Sequence, residues 1–347
     1  MRYFIRADAS EHLGTGHIMR CLSLSVELIR KKHTVVFVCR LLHPYLRILI
    51  TNQGCDILEI ESKEPVGSTE ESEYVVSLIK KEYAINQTDW IIVDHYSISY
   101  SYESILRNLF SNILVIDDLA DRRHDCDMLL DTNLNNGNEK YNKLVASSVT
   151  QLIGPKYALL RQEFLDERSN INDKFPEHIQ SIFVCFGGTD PSNETLKTIK
   201  ALEPVLNDIT KVKIVLGRTN PHVEELINLF ENNSKLEFLI QPSSIAQEMV
   251  SCDMAICAGG SMTWERYCMG LPAIVIAIAD NQIEVANYGQ SIGIDKYIGV
   301  SSLVTEADIT RSIRQLVHPA TWLREARELA MESVDGNGVS RVVNYLI

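Results

Sequence analysis

The sequence predicts an α/β protein of two domains, each a parallel sheet covered by helices. Through the first half, short apolar runs alternate with longer amphipathic stretches, the strand-helix-strand pattern that a parallel sheet requires. The same pattern restarts at "SIFVCFGGTDPSNET", from residue 181. The length agrees: 347 residues, 45% of them hydrophobic, exceed what one core usually accommodates, and two domains of roughly 150 to 170 residues are the natural division.

Taken in order, "YFIRAD" reads as the first strand. "HIMRCLSLSVELIRKK" follows as a helix with Ile18, Leu22, Val26 and Ile29 at helical spacing on one face, and "TVVFVC" is the next strand. "WIIVD" (90–94), "ILVIDD" (113–118) and the weaker "MLLDT" continue the sheet; the first two end in aspartates, where α/β folds put their ligand-facing loops. In the second half "KVKIVLG", "LEFLIQ", "MAICAGG" and "PAIVIAI" are strands. The charged, Pro-containing stretch 166–180, "DERSNINDKFPEHIQ", is the most linker-like segment, so the expected domains are 1–165 and 181–347 with 166–180 between them. The closing "GNGVSRVVNYLI" reads as a helix able to pack back on the N-terminal domain. Two such domains are expected to make a cleft between the carboxyl ends of their sheets, where open α/β folds bind ligands.

Composition narrows the partner. A net charge of -13 and a pI near 5.2 argue against general affinity for nucleic acid or anionic lipid and leave a small molecule. The N-terminus lacks a signal-peptide core and no run approaches the roughly 18 apolar residues of a membrane span, so the expectation is cytoplasmic. Eight scattered cysteines without a C-x-x-C pair indicate neither zinc nor disulfides. Nothing in the sequence fixes the oligomeric state or demands more than a monomer.

Four stretches carry candidate chemistry. In "GTGHIMRC", Gly14 and Gly16 let backbone approach a ligand, Thr15 and the following amides can donate, and the positive helix end points at the same corner, favouring a neutral His17 able to accept a proton. His17 is equally readable as a helix-cap histidine. In "CAGGSMTWERYCMGLPAIVI" a strand runs into Gly259, Gly260 and Ser261 at the head of a helix, an anion site by its amides. Glu265, one turn in, serves either ribose hydroxyls or the helix dipole. In "FGGTDPSNET", Gly187 and Gly188 suit close approach to a ligand, while Asp190 reads as a helix cap with Pro191 at the first helical position. The acidic "DDLADRRHDCDMLLDTN" contains the D-x-D of Asp125 and Asp127. Its interspersed Arg122, Arg123 and His124 favour local ion pairs over a metal, and no metal or cofactor is expected.

Taken together, "RADAS…GTGHIMRC", "VDHY", "VIDDLADRRHDCDMLLDTN", "GPKYALLRQEF", "FGGTDPSNET", "AGGSMTWERYCMGLPAI" and "ADNQ" resemble, in order from residue 1 to about residue 290, the UDP-2,4-diacetamido-2,4,6-trideoxy-β-L-altropyranose hydrolases of pseudaminic acid biosynthesis. The resemblance implies a GT-B fold, two Rossmann-like domains facing each other across a cleft, related to the glycosyltransferase that makes peptidoglycan lipid II. It also implies a hydrolysis in which water attacks the anomeric carbon and UDP leaves with inversion. The family's general base falls on His17 and its sugar-side tyrosine on Tyr96. Its pyrophosphate loop falls on Gly259, Gly260 and Ser261, its ribose acid on Glu265, and its "NQ" pair on Asn281 and Gln282. Gly14, Thr15, Gly16, Arg20, Gly187 and Gly188 complete the expected binding set, and Asn281 joins His17 and Tyr96 in the expected catalytic set.

Two other readings compete. One is a GT-B glycosyltransferase using the same donor, for which "CRLLHPYLRILI" (39–50) has the composition of a lipid-acceptor patch. The other is a catalytically silent nucleotide-sugar-binding subunit, which would be expected to show degraded loops.

Overall fold

The computed structural model describes residues 1–9, 14–133, 140–171, 178–317 and 321–347. The chain divides into two compact units, Met1–Leu159 with Asn337–Ile347, and Leu160–Gly336. The division falls ahead of the 166–180 stretch read as linker, of which residues 172–177 lie outside the described ones. A helix at Gln162–Arg168 belongs to the second unit: the Arg168 guanidinium donates to the carbonyls of Cys268, Met331 and Val334.

The first unit runs β1 (Arg2–Ala7), α1 (Gly16–Arg30), β2 (Thr34–Cys39), α2 (Pro44–Asn52), β3 (Asp56–Glu59), α3 (Thr69–Glu82), β4 (Trp90–Asp94), α4 (Tyr100–Leu106), β5 (Asn112–Ile116), β6 (Met128–Asp131) and β7 (Thr150–Ile153). Its seven strands are all parallel in the order β3-β2-β1-β4-β5-β6-β7. Strands buried on both faces need continuous apolar runs, which is why "TVVFVC" and "WIIVD" were readable. β3 and β7 are the edges; they are short and half-solvated, and sequence reading passed over both.

The second unit runs α5 (Gln162–Arg168), β8 (Ser181–Cys185), α6 (Glu194–Leu202), β9 (Lys211–Leu216), α7 (Val223–Phe230), β10 (Leu236–Ile240), α8 (Ile245–Val250), β11 (Met254–Ala258), α9 (Met262–Cys268), β12 (Ala273–Ala277), α10 (Ile283–Ser291), β13 (Lys296–Val300), α11 (Glu306–Val317) and α12 (Thr321–Ser333). Its sheet is parallel in the order β10-β9-β8-β11-β12-β13. The half-buried edge strand β13 was also unread.

The last helix, α13 (Gly338–Leu346), returns to the first unit. Val342, Val343 and Leu346 join the core that holds α1, and the Tyr3 hydroxyl donates to the Leu346 carbonyl at 2.9 Å. This corrects the face assigned to α1. Lying against both the sheet and α13, α1 buries Ile18, Cys21, Leu22, Ser25 and Leu28, whereas Val26 is exposed and Ile29 half-buried. In "CRLLHPYLRILI", Leu46 and Ile50 are core residues and Leu41 and Ile48 are exposed, an amphipathic helix and its approach. Among the described residues no helix is long and apolar enough to cross a membrane. All eight cysteines are free and buried.

Candidate functional site

Each sheet has one point where the strand order reverses. In the first unit it lies between β1 and β4, in the second between β8 and β11. Connections leave such a pair of strands in opposite directions, so the carboxyl ends open a crevice for ligand. After β1, Gly14 and Thr15 lead into Gly16 and His17 at the head of α1; β4 ends at Asp94 and is followed by His95 and Tyr96. The loop after β8 carries Gly187 and Gly188, and the loop after β11 Gly259, Gly260 and Ser261.

In the first unit, Gly14 has φ +71° with no described residue within 4 Å of its Cβ position, and Thr15 is the N-cap residue of α1, its hydroxyl unused for capping. His17 follows in the first turn, with 6% of its surface exposed. Its Nδ1 lies 2.6 Å from Asp94 Oδ1, and its ring meets Tyr96 edge to face at 4.6 Å between centroids. Asp94 has no exposed surface. Burial alone would raise its carboxyl; the Arg20 guanidinium beside it, with His17, instead holds it well below the usual carboxylate range. Two groups therefore meet at His17 Nδ1, the Asp94 carboxylate and Arg20 Nη2 at 3.2 Å, while Nε2 is the nitrogen on the far side of the ring. The environment of His17 is set by this carboxylate, a feature that the reading from a positive helix end had left out. Arg20, expected among the substrate ligands, lies on Asp94 through Nε (2.6 Å) and Nη2 (2.5 Å) and on Asp118 through Nη1 (3.1 Å). The Tyr96 hydroxyl is pushed up by burial and then by Asp118.

In the second unit, two first-turn amides of α9 close back on the loop before it, Thr263 donating to the Gly260 carbonyl (2.9 Å) and Trp264 to the Ser261 carbonyl (3.2 Å). The Gln282 side-chain oxygen accepts from the Gly259 amide (3.2 Å) and the Ile278 amide (3.0 Å), pinning the Gly259–Ser261 loop to the end of β12. Its Nε2 lies 3.6 Å from where a Gly260 Cβ would stand. Asn281 is exposed in the single turn Asp280–Gln282. Gly187 has φ +89°, and both Gly187 and Gly188 face open space, while a Cβ on Gly217 would strike the Gly188 carbonyl at 2.1 Å, so the two loops touch backbone to backbone. Glu265 pairs with Arg161 (3.3 Å), which also holds Glu163 (2.5 Å). Burial pushes the Glu265 carboxyl up against the pull of Arg161.

Two sequence expectations change. Asp190 is not the cap residue of α6: Asn193 is, at φ +54°, and Pro191 lies in the turn before it. The Asp190 carboxylate, itself at φ +40°, reaches over to accept from the Glu194 and Thr195 amides, both at 2.9 Å. Asp125 and Asp127 do form ion pairs, but with Arg107 at the C-cap of α4 (3.1 and 2.6 Å), because Arg122 is taken by Asp117 and Asp121 and His124 by Glu103. Among the described residues no three His, Cys, Asp or Glu side chains converge as a metal site.

Two Rossmann-like units in one chain are the GT-B fold. Acinetobacter baumannii MurG superposes with a TM-score of 0.66 at 16% identity over 99% of both chains. The UDP-GlcNAc 2-epimerase of Neisseria meningitidis, solved with UDP-GlcNAc bound, superposes at 0.67 and 12% identity over 100% of this chain and 99% of its own. No model of a known family matches. By sequence, the chain is 27% identical over 293 residues to the UDP-2,4-diacetamido-2,4,6-trideoxy-β-L-altropyranose hydrolase of Campylobacter jejuni, covering 83% of this chain and 96% of that one.

Proposed function

We propose that this chain is a cytoplasmic hydrolase that cleaves UDP from UDP-2,4-diacetamido-2,4,6-trideoxy-β-L-altropyranose, a step in pseudaminic acid biosynthesis. The observation that carries the reading is the His17–Asp94 pair at 2.6 Å, a base held through one ring nitrogen, behind a glycine turn at a strand-order reversal. The Campylobacter relative, matched over nearly its whole length, supplies the substrate class.

The chemistry follows from these groups. His17 Nε2 takes a proton from water as the water oxygen bonds to the anomeric carbon. The C1–O bond breaks, UDP leaves with its electron pair, and configuration inverts. UDP is a good leaving group, so the protein has to hold the diphosphate, align one water and accept its proton. Tyr96 and Asn281 are assigned to the sugar. Gly259, Gly260 and Ser261, with Gly187, Gly188 and Gln282, are assigned to the diphosphate, and Glu265 to the ribose. Amides and helix ends take up the phosphate charge, so no metal is required.

The test is incubation of the pure protein with this UDP-sugar in H2(18)O, without acceptor and with excess EDTA, followed by NMR and mass spectrometry. UDP and free sugar of inverted anomeric configuration are expected, with the label on C1 of the sugar. His17→Ala should lose about 10² to 10⁴ in turnover while UDP binding is retained. UDP release that requires an added acceptor would replace the hydrolase by a transferase, and activity lost on chelation and restored by magnesium would overturn metal independence.

A further inference from the structure

We propose that Arg20 is a positioning residue that acts on His17, by direct contact and through Asp94, and is not a ligand of the substrate's phosphates. This rests on the reading of His17 as the base. Three guanidinium nitrogens are committed to protein groups: Nε and Nη2 to Asp94, Nη1 to Asp118, with Nη2 also 3.2 Å from His17 Nδ1 and 15% of the side chain exposed. An arginine that grips phosphate presents a free pair of N–H groups to it. The helix explains the arrangement, since residues three apart share a face and α1 carries His17 and Arg20 to the same carboxylate.

Among the described residues, the charged and titratable groups around this carboxylate come from three places. From α1 come His17, Arg20 and the Cys21 thiol, which donates to Asp94 Oδ2 at 3.4 Å. From the end of β4 come Asp94 itself and Tyr96, and from the end of β5 Asp118. Asp94 is fully buried and its charge needs a counter-charge. Arg20 supplies it, so Asp94 orients the imidazole through one hydrogen bond without needing the imidazolium as its partner. With Arg20 neutralised, protonated His17 becomes the one cation among the described residues in contact with Asp94, and the proton stays on the nitrogen that must be vacant for water.

The experiment titrates His17 by NMR in histidine-labelled wild type, Arg20→Gln and Arg20→Lys, in parallel with calorimetry of UDP binding and the pH profile of kcat/KM. In Arg20→Gln the His17 midpoint and the acid limb of the profile should both move about one to two pH units alkaline. Arg20→Lys, which keeps the charge but not the fork, should move less and keeps the comparison available should the glutamine variant fail to fold. UDP affinity should stay within about twofold, and activity lost at neutral pH should return at higher pH. An unmoved His17 titration overturns the proposal. So does a roughly tenfold or larger loss of UDP affinity with an unmoved profile, which would make Arg20 a phosphate ligand. The titration needs no substrate, so it decides Arg20 even if the UDP-sugar is not turned over, an outcome that would count against the proposed function alone.

Discussion

Asp94→Asn tests the central arrangement with a near-isosteric change. Four contacts converge on a carboxylate with no exposed surface: His17 Nδ1 at 2.6 Å, Arg20 Nη2 and Nε at 2.5 and 2.6 Å, and the Cys21 thiol at 3.4 Å. Asparagine keeps the shape but turns one acceptor into a donor. In either orientation the new N–H₂ opposes an Arg20 donor, Nε at the Oδ2 position or Nη2 at the Oδ1 position. If it faces His17, Nδ1 becomes the acceptor and the ring proton moves to Nε2, the position the attacking water needs empty. Loss of a correctly poised base costs about 10² to 10⁴ in turnover, or roughly 2.7 to 5.4 kcal/mol of barrier. Breaking a buried pair from one side also costs about 3 to 5 kcal/mol of stability, so the variant is to be assayed well below its unfolding transition. The assay is UDP release at saturating UDP-sugar, alongside calorimetric titration with UDP, whose affinity should be unchanged. Turnover above roughly a tenth of wild type in the folded variant would refute the assignment of Asp94 as the group that orients the base.

Two further outcomes are expected. Glu265→Ala should weaken UDP binding by about 1.5 to 3 kcal/mol and abolish the penalty for 2′-deoxy-UDP seen with wild type, whereas equal 2′-deoxy penalties in the two proteins would assign Glu265 to the helix dipole. Asp131 is fully buried and burial holds its carboxyl up at about 6, against 3.8, despite Lys140. The folded state therefore binds that proton more tightly than the unfolded state does. The resulting stability is complete below about pH 4 and lost as pH rises through about 6, a difference of at most about 3 kcal/mol. Asp131→Asn should flatten this decline in urea melts recorded across that range, and an undiminished decline would locate the dependence in another group.

The sequence by itself determined the alternation of strands and helices, the central strands of both sheets and the glycine loops that follow β1, β8 and β11. These are local matters: a doubly buried strand must be a continuous apolar run, and a helix entered next to a ligand needs glycine before it. The edge strands β3, β7 and β13 lack that run in their sequences, whereas β10, equally half-solvated at the other edge of the second sheet, keeps it as "LEFLI". Motif resemblance reached His17, Tyr96 and Glu265 but not what surrounds them. Only the tertiary structure decided that Asp94, 77 residues away, is the partner of His17, that Arg20 is spent on the same carboxylate, and that Arg161, 104 residues before Glu265, shares its charge. Local spacing fixes which residues stand on one helix face. It cannot fix which strand end lies opposite, because that depends on strand order, and the pairing of β1 with β4 brings the aspartate to the histidine.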